Sequence, residues 1–231
     1  MTDRARKPVT RDRILDAAVE IADREGLAAV TMRRLGQRLG VEAMSLYKHV
    51  ADKDEVLAGL AERVAAEFTV PRRDVPWRTA LRESGIAAQS VLLRHPWAGP
   101  LLESRTDLGP ARLAYVDAVI GVLREAGFSF EEVGHAFTAL DSHLYGFTMQ
   151  VANWPFNPDE PTVAAEELVA GVDPERYPNL VAMAMAAASA DPPMQLDFTY
   201  GLDLLLDGMA RRLPRRTVRP RTRPRSGSRS R

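Results

Sequence analysis

Cysteine is absent from this chain, which removes disulfides, thiolate metal sites, iron–sulfur clusters and thiol nucleophiles from consideration. Long apolar runs are also lacking. None approaches the roughly 20 residues that span a bilayer, and the basic segment Met1–Arg13 leads into an amphipathic stretch rather than the apolar core and cleavage site of a secretory signal. A cytoplasmic location is expected. Alternating β-branched runs, the mark of strands, are scarce as well. Acidic residues are missing from one place in particular: residues 211–231 hold ten arginines and no acid. With a formal net charge of zero overall, residues 1–210 therefore carry −10. Within that acidic body, residues 1–50 hold ten Lys or Arg against seven Asp or Glu, so a nucleic-acid surface is best sought at the N-terminal end.

What is present is apolar residue at three- and four-residue spacing almost throughout, in a chain of 231 residues long enough for one or two domains. The pattern predicts an all-α protein. A first helix starts after the N-cap Thr10, carries Ile14, Ala17, Ala18 and Ile21 on one face, and ends at Gly26 in a left-handed cap. A second starts at Thr31 with Met32, Leu35 and Leu39 inward, and Gly40 stops it. A third, Glu42–His49, turns Leu46 inward with Val50 just beyond. Asp52 and Glu55 are spaced as a capping box for a fourth, bearing Val56, Leu60, Val64 and Phe68. Pro71 and Pro76 bracket a linker.

Downstream, helices are predicted over Trp77–Arg94 and, with Pro at the start and Gly127 at the end, Pro110–Ala126. Ser129 and Glu132 form a further capping box, with Phe128 and Val133 as a hydrophobic staple. The stripe Phe130, Val133, Phe137, Leu140, Leu144, Phe147 and Val151 then repeats at alternating three and four and must be covered. After a Pro-rich loop, Trp154–Thr162, shorter helical stretches lead to a last helix over about 194–213. Expected domains are residues 8–68, residues 76–213 and a disordered Arg-rich tail, 214–231.

Helix, glycine turn and short helix make a helix-turn-helix, in which the first helix braces the second against the major groove. On spacing alone, a plain structural hairpin is equally good. The outward residues tip the balance: Met44, Ser45, Tyr47, Lys48 and His49 make a poor solvated face and a good base-reading one.

The run Thr31-Met-Arg-Arg-Leu-Gly-Gln-Arg-Leu-Gly-Val-Glu-Ala-Met-Ser-Leu-Tyr-Lys-His-Val-Ala-Asp-Lys-Asp-Glu-Val-Leu57 resembles the TetR-family DNA-binding domain, and the likeness extends from about Arg11 to Phe68. The resemblance implies that Thr31 and Arg33 hold phosphates, that Ala43, Met44, Ser45 and Lys48 face base edges, and that Tyr47, His49 and Lys53 grip the backbone. Ala43 and Met44 depart from the tetracycline repressors themselves, which have polar or Pro residues there. Past the linker, His95-Pro-Trp97, Gly127-Phe128-Ser129 and Phe198-Thr-Tyr-Gly-Leu-Asp-Leu-Leu-Leu206 resemble the tetracycline-repressor type of C-terminal domain. That likeness implies a helical ligand-binding and dimerisation domain, in which the helix over Ser129–Asn153 and the last helix pair with their mates across a two-fold axis. Taken alone, the Phe130–Val151 stripe reads as an intramolecular core; the resemblance favours the dimer.

Trp97, His135, His143, Phe147, Met149, Trp154, Met183 and Met185 are candidates to line an effector pocket, although Met and aromatic residues at helical spacing are more often core. His135 and His143, eight apart, suggest a metal pair with Asp141. Ligands one turn apart come at three or four, so a polar face or subunit contact fits better, and no metal or cofactor is assigned. The Arg-rich tail is read equally as a dispensable extension or as a flexible arm for DNA. An enzyme is disfavoured, since no nucleophile motif, phosphate loop or metal spacing is found. The expected partners are operator DNA, a second copy of the chain and a small-molecule effector, with repression relieved by the effector. A ligand-independent architectural DNA-binding protein is the alternative, and salt-sensitive binding without sequence preference is what would mark it.

Overall fold

The computed structural model describes residues 8–153, 169–189 and 196–213, and every regular element among them is helical. The N-terminal part comprises α1 (Arg11–Glu25), a single 3-10 turn (Leu27–Ala29), α2 (Met32–Leu39), α3 (Ala43–Leu46) and α4 (Lys53–Ala66). Thr10 caps α1 by accepting the Arg13 amide at 3.3 Å, and Ile14, Leu15, Ala18 and Ile21 turn into the core. Gly26 follows at φ 82°, ψ 162°. The expected left-handed cap is thus corrected to a more extended conformation, still at a positive φ that favours glycine. Leu35, Leu46, Val50, Val56 and Leu60 complete this core, all at or near zero exposure.

Two local expectations change. α-Helical structure in the third helix covers Ala43–Leu46 rather than Glu42–His49, because the chain tightens into a turn where the His49 amide bonds to the Leu46 carbonyl at 2.9 Å. The capping box of α4 forms by half: Asp52 accepts the Glu55 amide at 2.8 Å, but Glu55 reaches back to the Ala51 amide at 2.7 Å. The other Glu55 oxygen is held by Arg11 of α1 at 3.0 Å.

The larger part comprises α5 (Trp77–Arg94), α6 (Ala98–Ser104), α7 (Pro110–Ala126), α8 (Phe130–Ala152), α9 (Pro178–Ser189) and α10 (Phe198–Arg212). α5, α7, α8 and α10 pack on one another, while α4 packs on α6 and α7 and so joins the two parts. The reciprocal capping box of Ser129 and Glu132 opens α8, and Phe128 and Val133 are both buried beside it. The last helix begins four residues later than expected, at Phe198, because Asp197 caps it by accepting the Thr199 and Tyr200 amides at 2.8 and 3.2 Å.

The α8 stripe faces the chain's own interior. Val133 and Leu144 are buried, and Phe137, Leu140 and Phe147 pack partly buried against the same core, so this much of the stripe is covered from within the chain. Phe130 is the exception, exposed and covered on one face by the Arg124 guanidinium 4.2 Å from its ring centre. The Trp154–Thr162 loop and the Arg-rich tail lie outside the described residues.

Candidate nucleic-acid interface and core cavity

α2 and α3 approach closely because Gly36 has no side chain: a Cβ there would lie 2.8 Å from the Val41 carbonyl oxygen and 3.1 Å from the Ala43 nitrogen. Gly40, at φ 70°, ψ 35°, then makes the left-handed turn between them. The pair turns Leu35 and Leu46 inward and leaves a distinct outer face. Met44 on it is 75% exposed and Tyr47 45%, an unfavourable arrangement for apolar surface unless something covers it. Lys48, His49 and Lys53 are exposed beside them, and Ala43 and Ser45 are half-buried. The Ser45 hydroxyl donates to the Glu42 carbonyl at 2.6 Å, which leaves its lone pairs as acceptors.

Charge is sorted across α2. Arg34 makes a two-pronged pair with Glu25 at 2.6 and 3.2 Å, which holds the Glu25 carboxyl below the usual carboxylate range, and Arg38 is paired with Glu20. Both acids belong to α1. Arg33, Lys48 and Lys53 have no ion-pair or hydrogen-bond partner among the described residues. Thr31, the α2 N-cap, accepts the Arg34 amide at 3.1 Å and keeps its hydroxyl proton to donate. Bracing cations are therefore neutralised internally, and the remaining ones are free for an external anion.

Among the described residues, four acids of this part tie it to the rest. Asp23 of α1 accepts both His95 Nδ1 and Trp97 Nε1 at 2.7 Å through one carboxylate oxygen, and Glu67 takes Arg94 at 2.6 Å with His95 Nε2 at 3.4 Å. Arg105 grips both oxygens of Asp54 at 2.9 and 3.0 Å and Asp107 at 2.6 Å; those carboxylates raise the guanidinium's pKa, and Arg105 lowers theirs. Glu62 of α4 accepts the Ala111 amide at 2.7 Å at the start of α7. Its other oxygen and Arg105 Nε are buried without a hydrogen-bond partner among the described residues. Both residues line a cavity of about 130 Å³ between α4 and the α6–α7 loop, roomy enough for bridging water.

A second, tighter cavity of about 30 Å³ lies among α5, α7, α8 and α10, lined by Leu81, Ser84, Tyr115, Phe137, Asp141 and Phe198 with their neighbours. The Ser84 hydroxyl donates to the Thr69 carbonyl at 2.6 Å and lies 3.4 Å from the Tyr115 hydroxyl. Burial raises the Tyr115 pKa, so the phenol stays neutral. Burial, together with the like charge of Glu103, pushes Asp141 up to about 6 against the opposing pull of Arg112.

Of the residues expected at a pocket, His143 and Phe147 come together beside this cavity. The His143 ring stacks on Phe198 at 4.8 Å, its Nε2 lies 2.9 Å from the Phe198 carbonyl, and Phe147 meets Phe198 edge-on at 5.4 Å. Gly201 makes room for that crossing, since a Cβ there would fall 2.4 Å from the His143 ring and push it aside. The others are dispersed. Trp97 is drawn to the α1 seam by Asp23, His135 is exposed one turn from Glu131, and Met149, Met183 and Met185 are more than half exposed. Trp154 lies outside the described residues. His135 and His143 do not gather with Asp141, and among the described residues no three metal-capable side chains do. Ser84, Tyr115 and Asp141 carry no motif in sequence; Asp141 alone was signalled, as a neighbour of the two histidines.

No helix among the described residues is long and apolar enough to cross a membrane. Residues 14–60 match the sequence family described as bacterial regulatory proteins, tetR family, and residues 70–213 match the tetracyclin repressor-like C-terminal domain. An HTH-type transcriptional regulator of Saccharopolyspora erythraea is 33% identical over 210 residues, covering 90% of this chain and 87% of that protein. Tetracycline repressor protein class D of Escherichia coli is 27% identical over 203 residues, 87% of this chain and 88% of the other. The TetR family protein ActR of Streptomyces coelicolor, solved in complex with actinorhodin, superposes with a TM-score of 0.73 at 27% identity, over 88% of this chain and 96% of that one.

Proposed function

The chain belongs to the TetR family of DNA-binding transcriptional regulators, a family of regulators rather than enzymes, and from that premise we propose that it is a homodimeric repressor released from a palindromic operator by a small molecule. Residues 8–68 are the operator-reading domain and residues 76–213 the effector and dimerisation domain. The observation that carries the reading is the sorting of charge on the helix-turn-helix: Arg34 and Arg38 are spent on α1, while Arg33, Lys48 and Lys53 have no partner among the described residues and Met44 and Tyr47 are exposed. Thr31, Arg33, Tyr47, His49 and Lys53 contact phosphates, and Ala43, Met44, Ser45 and Lys48 meet base edges.

Pairing of two chains is supported by Tyr200 and Leu204, one turn apart on α10, and by Met149 on α8, all more than half exposed on the chain taken singly. Two recognition helices then stand about 34 Å apart, one turn of DNA. ActR is solved with a small molecule bound, and in this chain the cavity among α5, α7, α8 and α10 is the effector site. It is nearly filled, so an occupant must part α7 from α8. Because α7 packs on α4, that movement reaches the recognition helices and shifts their spacing away from the operator's.

The test separates phosphate from base contacts. On fragments selected from the genome, fluorescence anisotropy is expected to show that Lys53→Ala weakens binding to selected and random DNA alike. Met44→Ala and Lys48→Ala are expected to change which base is preferred. Equal losses on specific and random DNA in all three variants would overturn the assignment.

A further inference from the structure

We propose that the core cavity recognises an organic cation, an amine carried on an apolar body, whose ammonium pairs with Asp141. The inference rests on the effector reading of that cavity and names the chemistry of its occupant. Asp141 lines the cavity but makes no hydrogen bond or ion pair with any described residue, so among those residues its carboxyl has no partner of the kind a part-buried charge requires.

The charged and titratable groups around it do not supply one: His143, on the same helix, stacks on Phe198 with its Nε2 2.9 Å from that residue's carbonyl. On α7, Arg112 is engaged by the Leu102 carbonyl and by Glu103 at 3.6 Å. Glu103 on α6 adds a second negative charge, and the Tyr115 and Tyr145 phenols, both raised by burial and by Asp141 itself, stay neutral. α5 and α10 offer the cavity Leu81, Ser84, Gly85, Phe198 and Leu202, none of which titrates. The local balance is one net negative charge among apolar and aromatic walls. An anionic occupant is repelled, a neutral donor can hydrogen-bond Asp141 but leaves its charge uncompensated, and a cation compensates that charge beside the aromatic Phe137, Tyr115 and Phe198.

Calorimetric titration of the full chain with phenethylamine, phenethyl alcohol and phenylacetate, three molecules of one skeleton and three charges, tests this directly. The amine is expected to bind most tightly at about pH 7.5 and to weaken at about pH 5, where Asp141 holds its proton. Asp141→Asn is expected to lower amine affinity about tenfold with little change for the alcohol, and Asp141→Glu to keep the amine preference. If the alcohol or phenylacetate binds as tightly as the amine, or if Asp141→Asn leaves amine binding unchanged, the cation assignment falls while the cavity remains an effector site. Binding of none of the three overturns both.

Discussion

Asp141 is a carboxyl whose burial makes stability depend on pH. Burial holds its folded pKa at about 6, above the 3.8 of an exposed aspartate, so the folded state keeps the proton longer than the unfolded state does. Stability from this group is therefore full below about pH 4 and declines as pH rises to about 6. Asp141→Asn removes the ionisation, and urea unfolding is expected to show it more stable than the parent by about 1–3 kcal/mol at pH 8. The gain should vanish near pH 4. A variant equally stable or weaker at pH 8 would refute the desolvated carboxyl. Residues such as this are legible only when a fold surrounds them. Met44, Tyr47 and Lys48 stand out in the sequence because a solvated helix would carry Glu–Lys pairs in their place. Trp97 instead looks like any buried aromatic, because its partner Asp23 is 74 positions away.

Elements were legible where local chemistry specifies them. Thr10, Thr31, Asp52 and Ser129 all cap helices as their spacing predicts, since a cap is satisfied within four residues. α6 was not read, because Gly99 and Pro100 punctuate a seven-residue helix that its packing on α4 and α8 maintains. The covering of the α8 stripe is likewise a tertiary matter: periodicity says that a face is buried but not whether its cover is α5 and α10 or a second copy. The α2–α3 contact yields a test at this scale. At Gly36 an added methyl meets backbone at 2.8 Å, which cannot rotate aside. Gly36→Ala is therefore expected to cost about 1–3 kcal/mol and to abolish operator binding, while helical circular dichroism from the rest of the chain persists. Unchanged DNA affinity would show that α3 has another way to seat.

Across the whole molecule, the two parts are tied by polar contacts that converge on a few acids. Asp23 satisfies two buried donors at once, so Asp23→Ala strands both the Trp97 indole and the His95 ring, at about 1–3 kcal/mol for each unsatisfied group. Scanning calorimetry is expected to resolve two transitions in that variant where the parent gives one. A single transition at the parental temperature would show that the seam carries no coupling. On the proposed reading, these ties, with α4 between the parts and the core cavity beside α7, would link occupancy at one end to helix spacing at the other. The most direct measurement is a hydroxyl-radical footprint of the purified chain on a selected genomic fragment, with Tyr47→Ala alongside. The account predicts two protected patches about one helical turn apart, related by a two-fold axis on one face of the duplex and lost in the variant. Unphased protection that spreads with protein concentration and survives Tyr47→Ala would contradict it.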